Sequence, residues 1–200
     1  MRILLLRHGE TPGNKEKRFI GCRTDEGLTA EAQRALEEKT VTADICYTSP
    51  LKRARQTAES VFQGEILVKE ALKECDFGLL EGKNHQEMSG VPCYEAFLQA
   101  GGTKPYPGGE WPEAFYARSL AVFWEIFEEA GAENRKQILV VTHGGVIMGI
   151  MAGLFGDNSE IYAFHVDNGC GFLIDTGEKN EISRRTCYRA WKPKIGRAHV

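Results

Sequence analysis

The sequence predicts an α/β fold: a three-layer α/β/α arrangement on a mainly parallel sheet. Three observations carry this. The apolar runs Arg2–Leu6, Asp44–Thr48 and Gln137–Thr142 read as strands buried on both faces. Segments of helical pattern alternate with them, which places helices on both sides of a sheet. The chain has 200 residues, 42% of them apolar and 26% charged, enough to bury a sizeable core and too apolar for disorder.

The elements follow in order. Arg2–Leu6 is the first strand and ends at Arg7-His8. Thr29 caps a helix with Glu31 close behind and Ala32, Ala35 and Leu36 on one face. Asp44–Thr48 is the next strand, stopped by Ser49-Pro50. Pro50 suits the first turn of a helix reaching about Phe62. Glu65–Val68 is a short strand. From about 83 to 109 the pattern weakens into Gly, Pro and short helical pieces such as Cys93–Gln99. This segment reads as a small helical insertion over one end of the sheet. A helix from about Trp111 to Ala130 returns to the core with Phe115, Leu120, Phe123, Ile126 and Phe127. Gln137–Thr142 leads into His143-Gly144-Gly145 and a helix through Ile147, Ile150, Met151 and Leu154. Cys170–Ile174 and Ser183–Tyr188 read as two strands joined by Thr176-Gly177-Glu178.

Residues 1–194 are expected to form a single domain. The last six, Ile195 to Val200, match a translation of common sequencing-adapter DNA (ATC GGA AGA GCA CAC GTC). They are expected to be an assembly artefact and are left out of the fold reading. The formal charge of −3 does not point to a nucleic-acid partner. No apolar stretch approaches a membrane span, and the short start, MRILLLRHGE, reads as a strand and not a signal peptide. The six cysteines are scattered with no CxxC spacing, as in a reduced protein of the cytoplasm, the expected compartment.

In open α/β sheets, ligands sit beyond the carboxyl ends of the strands. The first strand delivers Arg7 and His8 there, the second leads to Arg53, and the last apolar strand delivers His143. Two imidazoles and two guanidiniums suit a phosphoryl group. Arginine offers a planar fork of donors, and a neutral histidine is a nucleophile. A divalent metal is disfavoured, because Arg7 and Arg53 repel it and no HExxH pair occurs. No GxxxxGK[ST] loop is present either, so neither a metal nor a cofactor is expected. Taken singly, each residue has an ordinary reading. Arg7-His8 would be a surface pair, Arg53 part of a basic helix face, Glu74 a surface carboxylate and His143 a turn residue. Arg55, His85 and His165 keep a structural or surface reading.

The ordered set resembles the histidine phosphatase superfamily, which includes cofactor-dependent phosphoglycerate mutases. Leu6-Arg7-His8-Gly9-Glu10-Thr11 matches its signature, and Asn14 stands where that family has a phosphate-contacting Asn. Ser49-Pro50-Leu51-Lys52-Arg53-Ala54-Arg55-Gln56-Thr57-Ala58 resembles its second-arginine helix. Leu72-Lys73-Glu74 with Phe77-Gly78 and Glu81-Gly82 resembles its proton-donor segment, and Thr142-His143-Gly144-Gly145 its second-histidine block. The resemblance implies a phosphoglycerate mutase-like fold. It implies His8 as the nucleophile that becomes phosphohistidine. Arg7, Asn14, Arg53 and His143 would hold the phosphoryl oxygens. Glu74 would be the general acid and then the general base, with Glu81 in a supporting part.

The short stretch between Gly82 and Glu110 favours hydrolysis over mutase chemistry, since longer insertions exclude water. Pro107-Gly108-Gly109-Glu110 resembles the phosphatase branch, although Trp111 stands where a small hydroxyl residue is common. Within that branch the resemblance is to α-ribazole phosphatase. It rests on Phe77-Gly78 through Gly82, on Gly109-Glu110 with Ala114-Phe115 and Arg118, and on Phe164-His165-Val166-Asp167-Asn168-Gly169-Cys170. It implies hydrolysis of α-ribazole 5′-phosphate in cobalamin biosynthesis by a monomer or homodimer. The alternatives are a broad-specificity phosphatase of sugar or glycolytic phosphates and a phosphoglycerate mutase. A non-catalytic phosphosite-binding module is a remoter one.

Overall fold

The computed structural model describes residues 1–100, 104–156, 158–177, 182 and 187–191. Strands β1 (Arg2–Arg7), β2 (Ile45–Thr48), β3 (Ile66–Val68), β4 (Gln137–Thr142), β5 (Gly171–Asp175) and β6 (Cys187–Trp191) form one sheet in the order β3-β2-β4-β1-β5-β6. The four strands from β3 to β1 are parallel, and β5 and β6 add an antiparallel edge.

Alternation along the strands divides the core into two layers. After the short α1 (Pro12–Lys15), α2 (Ala30–Glu37) and α3 (Lys52–Val61) cover the face to which Leu4 and Leu6 of β1 point, and those two leucines meet Leu36, Ala54, Ala58 and Val61 there. Ile3 and Leu5 point the other way, into the layer of α6 (Pro112–Ala132) and α7 (Gly144–Phe155), among Phe115, Phe123, Ile126, Ile147 and Ile150. Burying each of these side chains is worth about 1.5–3 kcal/mol. Double-sided burial is why β1 and β4 read as unbroken apolar runs. In α6, Leu120 and Phe127 are only half-buried, and Val122 and Ala130 supply the remaining contact.

Local signals set the element ends. Thr29 caps α2 by accepting the Ala32 N–H at 3.1 Å. The second helix begins later than Pro50 suggests: Leu51 is its cap and Lys52 its first residue. There the Leu51 N–H is held by the Ser49 hydroxyl at 3.3 Å, so Ser49-Pro50 forms the turn ahead of the helix. β6 pairs Cys187 with Asp175 and continues to Trp191 against Gly171; the expected start of this strand at Ser183, and Glu178 of the expected connection, lie outside the described residues. Residues 183–186 and 195–200 lie outside the described residues.

The insertion contributes α4 (His85–Met88) and α5 (Pro92–Gln99). It packs its own cluster, with Leu80, Met88 and Tyr94 buried and Phe19, Phe77, Phe97 and Tyr106 against them. Tyr106 of the insertion also lines a cavity at the carboxyl edge of the sheet, beside Phe19 and Phe77 from outside it, so the insertion reaches that edge through Tyr106. Among the described residues no helix is long and apolar enough to cross a membrane.

Candidate active site

Sheet register assembles the site. Arg7 pairs with Thr142 and Thr48 with Val141, so the residues just beyond each pair, His8, His143 and Ser49, leave the sheet side by side. The His8 N–H continues the ladder to the Thr142 carbonyl at 2.9 Å. The two imidazoles stand edge to face with centroids 5.1 Å apart. Arg53 enters from the first turn of α3 and is wholly buried. Glu74 enters from the loop after Leu72, whose carbonyl is held by the Thr142 hydroxyl at 2.8 Å.

The hydrogen bonds state what each group has left to offer. His8 Nδ1 lies 2.7 Å from the Gly9 carbonyl oxygen, which only accepts, so Nδ1 carries the proton and Nε2 keeps the lone pair. Burial pushes the imidazole well below its ordinary range, and the Arg53 and Arg7 charges add to this. His8 is therefore neutral and nucleophilic at Nε2. The His143 imidazole is also pushed well down, first by burial and then by Arg53, His8 and Arg7.

Three buried polar side-chain atoms among the described residues have no partner: Arg7 Nε, Arg53 Nε and His143 Nδ1. Each of the three side chains is also held through another nitrogen. Arg7 Nη1 donates to the Val166 carbonyl at 2.7 Å. Arg53 donates to the carbonyls of Ile20, Gly21 and Thr24. His143 Nε2 lies 2.8 Å from the Ser49 hydroxyl. Unpartnered buried polar groups are costly, and two guanidinium N–H groups with an imidazole nitrogen around one histidine define a place for an anion. Asn14 lines the same cavity. Its amide oxygen accepts from the Thr11 N–H and from Asn168 Nδ2, which leaves its amino group for a ligand.

Glu74 is buried and its carboxyl is raised above the ordinary carboxylate range. Burial outweighs the N–H groups of Cys75 and Gly145 and the charges of Arg53 and Arg7, all of which pull it down. A carboxyl raised above its ordinary range beside an anion site is suited to supply a proton. Glu81 does not enter the cavity lining. It accepts from the Gly21 N–H, the Thr24 hydroxyl and the Arg23 N–H, and so ties down the loop whose carbonyls hold Arg53. Cys22, Asp76 and Glu81 form a group with ligand atoms within 4.8 Å of one another, but Asp76 is paired with Arg23 and Glu81 is filled by these donors.

Several supporting residues stand inside the segments that carry the resemblance without a role assigned to them there. Thr57, one turn beyond Arg53, accepts the Gly9 N–H at 2.9 Å and donates to the Arg53 carbonyl at 2.7 Å. Asn168 Nδ2 donates to the His8 carbonyl at 3.1 Å. The Gly169 N–H reaches the carbonyls of Arg7 and His8 from a positive φ of 69°, a backbone state that favours glycine. Arg118 braces the segment before Glu74 through the carbonyls of Ala71 and Lys73, and Glu110 holds Arg118 in turn. His165 is exposed at the cavity rim, Arg55 is exposed beside Glu59, and His85 bonds Tyr94 in the insertion.

Two histidines and two arginines around an anion site at the carboxyl edge of a parallel sheet define a phosphatase. Residues 3–186 match the family model of the histidine phosphatase superfamily (branch 1), and the chain belongs to that family. It is 31% identical to an adenosylcobalamin/alpha-ribazole phosphatase of Escherichia coli, over 90% of this chain and 92% of that one. It is 30% identical to a 2,3-bisphosphoglycerate-dependent phosphoglycerate mutase of Parvibaculum lavamentivorans, over 92% and 94%. The crystal structure of the alpha-ribazole phosphatase from Shigella flexneri superposes with a TM-score of 0.76 at 28% identity, covering 90% of this chain and 92% of that one.

Gly145 is required by geometry. A Cβ there would lie 2.5 Å from Glu74 Oε1 and 3.1 Å from the Phe115 ring. Gly145→Ala is expected to displace the carboxyl and lower kcat/KM by about a hundredfold, the scale of an ångström-sized misplacement. Steady-state kinetics beside a thermal melt check this; full activity in the variant contradicts it.

Proposed function

We propose that this phosphatase hydrolyses a small phosphorylated metabolite through a phosphohistidine at His8, and that its substrate is α-ribazole 5′-phosphate. The observation that carries the mechanism is the set of unpartnered donors, Arg7 Nε, Arg53 Nε and His143 Nδ1, around a histidine whose lone pair is on Nε2. In the first step Nε2 attacks phosphorus and the ester P–O bond breaks. Glu74 gives its proton to the leaving oxygen, and Arg7, Arg53, Asn14 and His143 bind the equatorial oxygens. Ser49 donates its hydroxyl proton to His143 Nε2, which keeps a proton on the unpartnered Nδ1 facing the phosphoryl group. In the second step Glu74 takes a proton from water. The water oxygen bonds to phosphorus, the N–P bond breaks and His8 returns neutral.

The substrate reading is supported by the segment from Phe164 to Cys170. It frames Arg7 and His8 through Val166, Asn168 and Gly169, and its sequence resembles the corresponding block of the α-ribazole phosphatase branch. The reading places the enzyme in a reducing cytoplasm, in keeping with Cys22, Cys46, Cys75 and Cys93 standing outside any disulfide. Steady-state hydrolysis of α-ribazole 5′-phosphate, 3-phosphoglycerate, sugar phosphates and p-nitrophenyl phosphate tests it. A lead for α-ribazole 5′-phosphate of about a hundredfold in kcat/KM, about 2.7 kcal/mol, is expected. Values within a few-fold of one another point instead to a general phosphatase.

A further inference from the structure

The cavity at the carboxyl edge has a volume of about 220 Å³. Beyond the phosphoryl-binding groups its wall is largely aromatic and apolar, with Phe19, Phe77, Tyr106, Tyr116, Met148 and Tyr162, and it also carries Arg18 and His165. Phe19 and Phe77 stand edge to face with centroids 5.5 Å apart, and Phe77 and Tyr106 with centroids 4.9 Å apart. Burial pushes the Tyr116 hydroxyl up to about 12, so it is uncharged, and the Tyr106 hydroxyl is raised further still.

A substrate with a second anionic group needs a cation on this wall. Among the described residues the one arginine there besides Arg7 is Arg18, and its charge is already matched twice. Its Nε lies 2.6 Å from Glu16 Oε2. Its Nη1 lies 2.6 Å from Glu87 Oε2 and donates to the Gly82 carbonyl at 2.7 Å. His165 stands exposed at the rim. Lys17 lines a neighbouring cleft that Arg7, Asn14 and Arg18 share, and not the aromatic cavity.

We infer that the site selects phosphate esters with an uncharged, flat aromatic or heteroaromatic leaving portion and rejects phosphorylated acids and amino acids, because Glu16 and Glu87 neutralise Arg18. The aromatic wall supplies stacking and apolar area. The paired Arg18 leaves a carboxylate desolvated without compensation, which is how a site discriminates against a competitor. The inference rests on the phosphohistidine reading and refines which ester reaches His8.

The test compares esters of primary alcohols, so that leaving-group acidity does not decide the outcome: 2-phenylethyl phosphate, O-phosphoserine and 3-phosphoglycerate. The wild-type protein is expected to prefer 2-phenylethyl phosphate by about tenfold or more in kcat/KM. The double variant Glu16→Gln with Glu87→Gln frees Arg18, while Gln keeps the second partner of the Asn84 capping box. It is expected to narrow that ratio by about threefold or more, through faster turnover of the two charged esters. If the double variant fails to fold, Glu16→Gln alone is expected to shift the ratio in the same direction. Charged esters matching or beating 2-phenylethyl phosphate in the wild type overturn the inference, and loss of their advantage in Lys17→Ala would assign it to Lys17. An unchanged ratio in a folded variant overturns the part given to Glu16 and Glu87. Mass spectrometry after an alkaline denaturing quench separates the two readings. Phosphoryl-His8 from every ester with a charged one preferred removes this inference alone, whereas turnover without phosphoryl-His8 removes the mechanism beneath it.

Discussion

Replacing His8 with alanine is expected to lower kcat by at least about four orders of magnitude, the scale seen when a covalent nucleophile is removed. The neighbouring imidazole does not substitute for it. His143 Nε2 is bonded to Ser49, and its Nδ1 is the nitrogen that carries the proton when the Ser49 hydroxyl donates. The remaining groups around the anion site are guanidiniums and an amide, which bind oxygen and do not attack phosphorus, and the Glu74 carboxyl, whose two oxygens are held by the N–H groups of Cys75 and Gly145 and which serves as the acid. Arg7, Arg53 and His143 stay in place in the variant, so it should still bind inorganic phosphate. The check is steady-state turnover together with phosphate binding by calorimetry. A His8→Ala protein that binds phosphate and hydrolyses esters at a near-normal rate ends the covalent mechanism.

Glu74→Gln has the second largest expected effect, and it depends on the ester. Alkyl alcohols leave poorly without a proton, so kcat/KM for an alkyl phosphate is expected to fall by about 10²–10³, against about tenfold or less for p-nitrophenyl phosphate. The comparison uses kcat/KM because that quantity covers events up to loss of the alcohol and leaves out the later attack by water. The pH profile carries the same assignment. His8 must be neutral, and its imidazole is pushed well below the ordinary histidine range, so the acid limb lies on the acid side of that range. Glu74 must be protonated, and its carboxyl is pushed above the ordinary carboxylate range, so activity toward alkyl esters falls as pH rises through that raised value. Glutamine has no proton to lose, and the variant is expected to lack this basic limb. Equal losses on both esters with the limb retained would move the acid away from Glu74.

The parts of the site that were legible in the sequence are those tied to regular elements. Arg7, His8 and His143 follow strands whose apolar runs announce burial on both faces, and the parallel register then sets them side by side. Arg53 is legible through its motif but not through periodicity. In pattern it belongs to a basic helix face, and in the fold it is wholly buried against three carbonyls. Ser49 reads as a strand terminator and its bond to His143 is invisible, because the contact joins residues 94 apart. Thr57 and Asn168 lie within segments that carry the resemblance, but nothing in their spacing assigns them a role, and their work lies in contacts to the His8 loop. Arg18 reads as an ordinary charge, and only its place between Glu16 and Glu87 on the cavity wall gives it a bearing on specificity. The insertion resists sequence reading because its helices are short and its aromatic cluster draws on Phe19 and Phe77 from outside it.

The central claim is that the phosphoryl group passes through His8 Nε2. Quenching the enzyme in alkaline denaturant during turnover of p-nitrophenyl phosphate, then mapping phosphorylated peptides by mass spectrometry, tests it most directly. Phosphoryl on His8 is the predicted result, accumulating further in Glu74→Gln, where the base for water is gone. Turnover with no phosphoryl on His8, or with the label on another residue, would contradict the account.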